Sequence, residues 1–126
     1  MLDLDEEIGA VVIGFDIKAT YAKMAYALYH LQNIPDCLYI ATNLDSTFPT
    51  PAGLLPGGGS VISMLTTAYG KDPVVMGKPT EVFFSLIQHA VHLDPMKTCM
   101  VGDRLNTGIN ILISQMKIFF SVTQIT

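Results

Sequence analysis

The sequence predicts an α/β fold with a mainly parallel sheet, on three observations. Short β-branched blocks alternate with segments of helical periodicity from one end of the chain to the other. Clusters of Gly, Pro and Asn fall between them, where turns are needed. Half of the 126 residues are apolar and only 14% are charged, as in a chain that builds a packed core.

The elements follow in order. Gly9–Phe15 (GAVVIGF) reads as a buried strand. In Thr20–Gln32 the apolar residues Tyr21, Met24, Ala25, Leu28 and Leu31 recur at steps of three and four, which predicts an amphipathic helix stopped by Asn33 and Pro35. Cys37–Ala41 is the next strand. A polar loop, Thr42–Pro49, and a long Pro/Gly-rich turn through Gly57–Gly59 lead to Ser60, an expected N-cap for a helix through Ala68. Pro73–Met76 is a short strand and Gly77-Lys78-Pro79 a turn. Thr80 is expected to cap a helix over Glu81–Val91 that buries Phe83, Phe84, Ile87 and Ala90. Strand Thr98–Val101, a helix over Thr107–Gln115 and strand Ile118–Val122 complete the order. The change of rhythm near Lys71–Lys78 suggests two small lobes, 1–72 and 73–126.

Composition excludes several functions. The net charge is −4 and no Lys/Arg run exists to neutralise a nucleic-acid backbone. Apolar runs reach only about seven residues, far short of the roughly 20 that a membrane helix needs. The acidic start (Asp3, Asp5, Glu6, Glu7) is unlike a signal peptide, so a soluble cytoplasmic protein is expected. Cys37 and Cys99 form neither a CxxC pair nor a metal set, and each is expected to be a buried thiol. His30, His89 and His92 are scattered and have no partner at ligand spacing, so they are not expected to hold metal.

Two loops hold groups suited to chemistry, because open α/β sheets place their sites beyond the carboxyl ends of strands. In Gly77-Lys78-Pro79 a lysine stands in a turn between strand and helix, where its ammonium can meet a phosphate. In Val101-Gly102-Asp103-Arg104 an Asp follows a strand directly, a suitable position for a Mg²⁺ ligand. Each motif alone is weak. Their order, about 25 residues apart with one helix and one strand between, strengthens both.

The pair VMGKPT…MVGDRLNTGI resembles the third and fourth motifs of haloacid-dehalogenase-type phosphatases. GAVVIGFD, YAKMAYALYHLQ, CLYIATNLDSTFP and the PGGGS turn resemble the second half of the large α/β cap of the phosphoglycolate, pyridoxal-phosphate and 4-nitrophenyl phosphatases. The resemblance runs from about Glu7 to Thr126. It implies a partial haloacid-dehalogenase (Rossmann-like) core over 73–126 with part of an α/β cap over 1–72. It also implies a Mg²⁺-dependent phosphatase acting on a small phosphorylated metabolite, and a homodimer formed through the cap. Carried over residue by residue, Lys78 would neutralise the phosphoryl group, Asp103 would bind Mg²⁺ and Arg104 would orient its loop at the substrate. Asn43, Asp45 and Phe48 of the cap loop would help choose the substrate.

Three departures stand against the family pattern. No DxDGT-like nucleophile motif occurs, and Leu2-Asp3-Leu4-Asp5 lacks both the preceding strand and the following Gly-Thr. Gly108 stands where the fourth motif usually has a second acid, beside the neutral Asn106, which weakens the expected metal site. Gln115-Met116-Lys117 replaces a stretch that normally holds a glycine, and the terminal Thr123-Gln124-Ile125-Thr126 also lacks one. A fragment, a partial gene model and a degenerate, non-catalytic binding module all remain compatible with these departures. A nucleotide-binding Rossmann domain does not, since GFDIKA after Ile13 is no GxGxxG. The triple glycine is likewise no P-loop, since no lysine follows it.

Overall fold

The structure, a computed structural model, describes residues 2–77, 80–102 and 118–121. The chain divides into two compact units, Met1–Val75 and Met76–Thr126.

The first unit is built on a three-stranded parallel sheet of order β1-β2-β5, with β1 at Ala10–Ile13, β2 at Leu38–Ala41 and β5 at Val74–Val75. Bonds from Leu38 N–H to the Gly9 carbonyl (3.0 Å) and from Thr42 N–H to the Ile13 carbonyl (3.0 Å) extend the β1–β2 ladder at both ends. Helix α1 (Tyr21–Asn33) begins at Thr20, whose hydroxyl oxygen accepts the Lys23 N–H at 3.3 Å. It ends at Ile34, before Pro35, which cannot continue a helix. Helix α2 (Gly58–Tyr69) packs beside it.

Alternation decides what is buried. Ile13, Tyr39 and Ala41 point from the strands to one side, where Leu31 of α1 and Ile62 and Leu65 of α2 close the core. Val11, Val75, Met24, Ala27 and Leu28 pack around that cluster. The Tyr39 hydroxyl, carried into this layer, bonds the Thr66 hydroxyl at 2.9 Å, which satisfies a polar atom that burial would otherwise penalise.

His30 is also a core residue, 1% exposed. The Tyr26 carbonyl can only accept, so Nδ1 donates to it at 2.9 Å, and Nε2 accepts the Asp5 N–H at 3.1 Å. The imidazole therefore pins the N-terminal segment to α1. Among the described residues no group of three His, Cys, Asp or Glu could hold a metal ion.

Several elements differ from the sequence expectation. The stretch read as loop contains a hairpin, β3 (Thr47–Thr50) antiparallel to β4 (Gly53–Pro56). Pro49 and Pro56 hid it, yet a proline is tolerated in a two-stranded ribbon because both strands are edges. Helix α2 starts three residues early, with Gly57 rather than Ser60 as N-cap, and no side chain caps it. Tyr21 is 85% exposed rather than part of the buried stripe of α1. The strand assigned to the second lobe, β5, pairs with β2 in the first unit. Cys37 is half-buried rather than buried.

In the second unit, helix α3 (Glu81–Val91) is capped by Thr80, whose hydroxyl oxygen accepts the Phe83 N–H at 3.3 Å. Phe84 is buried, Phe83 and Ile87 are half-buried, and Ala90, expected in that stripe, is exposed. A single turn of 3₁₀ helix at Pro95–Lys97 precedes β6 (Cys99–Gly102), which pairs in parallel with β7 (Ile118–Ser121). The helix expected over 107–115 lies outside the described residues. No described helix is long and apolar enough to cross a membrane.

Candidate functional site

The described site residues gather at the carboxyl ends of β1 and β2. The chain leaves β2 at Ala41 into Thr42–Ser46, and this loop is held by its own polar groups. The Asn43 side-chain oxygen accepts the Asp45 N–H at 3.1 Å, an Asx turn that bends the chain back on itself. The Asp45 carbonyl accepts the Gly59 N–H at 2.8 Å, and the Ser46 carbonyl accepts the Gly57 N–H at 2.8 Å and the Ser60 hydroxyl at 2.6 Å. The loop is thus bound to the first turn of α2 almost entirely through backbone.

Glycine is required there because the two segments touch. A Cβ on Gly59 would run into the Leu44 carbonyl oxygen, and one on Gly57 into the Asp45 carbonyl oxygen. A Cβ on Gly58 would lie 2.9 Å from the Asn43 side-chain oxygen. The glycine run therefore serves close approach. Its amide donors at Gly57 and Gly59 are taken by loop carbonyls, so they do not form an open phosphate cradle.

From this frame the hairpin projects Phe48, half-buried, against Phe15, which follows β1. Their rings meet edge to face with centroids 5.1 Å apart. Asn43, Asp45 and Phe48 thus belong to one loop-and-hairpin assembly: Asn43 shapes the loop, Asp45 links it to α2, and Phe48 presents an aromatic surface. Phe15 was missed by sequence reasoning. Its only signal is an aromatic residue just past a strand end, and its partner lies on a hairpin that was itself hidden.

The loop after β1 is also braced. Lys23 forms an exposed ion pair with Asp16 at 2.6 Å, and Asp16 also accepts the Lys18 N–H at 2.7 Å. The Lys23 ammonium, and then the Lys18 amide, hold the Asp16 carboxyl below the usual carboxylate range.

In the second unit the flanks of the lysine turn are defined. Thr80 donates its hydroxyl to the Gly77 carbonyl at 2.9 Å, and the Thr80 N–H bonds the same oxygen at 3.2 Å. One carbonyl thus closes the turn and leads straight into α3. Lys78 lies between these flanks but outside the described residues, as do Asp103, Arg104 and Gly108. Strand β6 ends at Gly102, so Asp103 is the next residue in sequence.

The chain is similar in sequence and in structure to known phosphatases. Residues 75–111 match a family model described as HAD-hydrolase-like. The chain is 43% identical over 105 residues to a 4-nitrophenylphosphatase of Schizosaccharomyces pombe, covering 83% of this chain and 35% of that one. It is similar in structure to a p-nitrophenyl phosphatase from Archaeoglobus fulgidus, with a TM-score of 0.74 and 33% identity over 86% of this chain and 41% of that one. A glycerol phosphate phosphatase from Mycobacterium tuberculosis, solved in complex with magnesium, matches with a TM-score of 0.67 and 36% identity over 79% of this chain and 29% of that one. The chain spans about a third of the length of the curated relatives it matches.

Proposed function

We propose that this chain belongs to the haloacid-dehalogenase-like phosphatases of the 4-nitrophenyl and phosphoglycolate phosphatase type and that it supplies the phosphate-neutralising, metal-binding and substrate-selecting parts of a Mg²⁺-dependent phosphatase of small phosphate monoesters. The observation that carries this reading is the ordered pair GKPT and VGDR inside the family match at 75–111.

Each residue has a role of its own. The Lys78 ammonium, in the turn that Thr80 closes onto Gly77, offsets the negative charge of the phosphoryl oxygens, where fixed positive charge lowers the barrier to transfer. Arg104 would orient the residues around Asp103 at the substrate. Asp103 would be one ligand of Mg²⁺, and the metal, when bound, would add charge neutralisation at the phosphate. The described residues supply no further ligand set, and Gly108 offers no carboxylate. Asn43 and Asp45 fix the loop that carries Phe48, and the Phe15–Phe48 surface favours a less polar leaving group. The attacking carboxylate would come from a DxDGT-type segment, which this sequence does not contain. A cytoplasmic location and a homodimer through the cap complete the proposal.

A second reading, a non-catalytic binding module derived from such a phosphatase, is favoured by the loss of acid at Gly108 and the absence of a DxDGT motif.

Hydrolysis of 4-nitrophenyl phosphate with Mg²⁺ tests the first reading. The 126-residue chain alone is expected to show no turnover above its Lys78→Ala variant. Co-expression with the part of the fission-yeast enzyme outside the match is expected to give turnover that Lys78→Ala lowers by at least a hundredfold. Lys78-dependent turnover by the chain alone would overturn the missing-nucleophile argument. An assembled pair that stays inactive would favour the binding module.

A further inference from the structure

Among the described residues, the sheet of the first unit is covered on one side only. Ile13, Tyr39, Ala41, Val11 and Val75 face α1 and α2. By the two-residue alternation of strands, Ala10 and Val12 of β1, Leu38 and Ile40 of β2 and Val74 of β5 share the opposite face. Every one of them is apolar. Val12 is 65% exposed, Leu38 55% and Val74 51%. The register sets Val12, Ile40 and Val74 in one row across the three strands, with Ala10 and Leu38 in the next. No charged or polar side chain interrupts the patch.

Parallel sheets are stable when both faces are covered, and their covers are helices, because crossover connections lay helices on the faces. The size of the patch selects the occupant. Two strand spacings make it about 10 Å wide, the diameter of one α-helix with its side chains, about 10–12 Å. The absence of charge requires an apolar stripe on the occupant rather than a basic or acidic one. Nearly two thirds of the fission-yeast relative lies outside the match, which is ample chain to supply such a helix.

We infer that the face formed by Ala10, Val12, Leu38, Ile40 and Val74 is a docking surface for one amphipathic helix from the phosphatase portion that the relatives carry outside the matched region. The inference rests on the family placement but not on catalysis, so it is read by association and not by turnover.

The experiment is co-expression of the 126-residue chain with the unmatched portion of the fission-yeast 4-nitrophenylphosphatase, followed by size exclusion with light scattering. A one-to-one complex is expected, with the methyl resonances of Val12, Ile40 and Val74 shifted. Val12→Glu and Leu38→Glu are each expected to weaken it at least tenfold. Met64→Glu, a change on α2 at a residue 53% exposed, is expected to leave it intact. A complex indifferent to both sheet-face variants would overturn the inference. So would a homodimer that Val12→Glu abolishes, since a second copy would then own the face. A measurement on the chain alone guards against a partner that fails to fold. The uncovered face is expected to bind the dye ANS, and Val12→Glu to reduce that binding severalfold with the circular dichroism spectrum unchanged. Lack of dye binding, or no effect of Val12→Glu, would equally overturn it.

Discussion

Phe15 and Phe48 come from segments more than 30 residues apart and meet edge to face, their ring centroids 5.1 Å apart with an interplanar angle of 68°. This one contact joins the loop after β1 to the hairpin β3–β4. An edge-on aromatic pair contributes about 0.5–1.5 kcal/mol beyond the area it buries. A double-mutant cycle with Phe15→Leu and Phe48→Leu, read by urea unfolding, is expected to return a coupling in that range. Strictly additive losses would mean that the rings do not hold the two segments together.

The junction of loop and helix should tolerate no side chain at Gly59. Alanine there places its Cβ against the Leu44 carbonyl oxygen, and both partners are backbone, so neither can swing away. Overpacking of this kind costs about 1–3 kcal/mol. Gly9→Ala is the matched control, because nothing lies within 4 Å of a Cβ at that position. The midpoint of urea unfolding is expected to fall for Gly59→Ala and to hold for Gly9→Ala. Equal midpoints would show that the loop can lift off α2.

Stability should decline at the alkaline end, and Tyr39 is one cause. Burial raises the pKa of its phenol above the usual 10.0, the Thr66 hydrogen bond partly opposes this, and the Asp72 carboxylate adds to it. The folded state therefore keeps the phenolic proton more tightly than the unfolded chain does. The stabilisation is complete below about pH 10 and is lost as pH rises through the folded value. Tyr39→Phe is expected to flatten this alkaline limb, while the loss of the bond to Thr66 costs about 1 kcal/mol at neutral pH. An unchanged limb would exclude Tyr39 as its source. Asp16 acts with the opposite sign: its lowered pKa contributes above the ordinary carboxylate value and is lost as pH falls.

Much of the first unit was legible because periodicity and burial agree there. The β-branched run at Ala10–Ile13 and the Tyr39–Ala41 block became sheet. Thr20 and Thr80 became the caps their hydroxyls suggested. The hairpin was illegible because its strands are only four residues each and carry prolines, which normally argue against strand. Gly57 rather than Ser60 became the N-cap because the loop carbonyls press against Gly57 and Gly59, a close approach between segments distant in sequence. His30 was set aside as a ligand, but its place in the core could not be read, since its partner is the backbone of Asp5, 25 residues upstream. Of the site, Asn43, Asp45 and Phe48 do share one assembly, and Phe15 was added to it only by the fold.

The way the loop is fastened to α2 bears on how such a protein can change over generations. Its fastening atoms are carbonyls of Asp45 and Ser46, amides of Gly57 and Gly59 and a single hydroxyl of Ser60. None of these depends on the identity of the hairpin side chains at Phe48, Leu54 or Leu55. Replacements at those three positions would alter the exposed surface of the hairpin while the mounting stays the same. That surface can then drift by point mutation without passing through an unfolded ancestor.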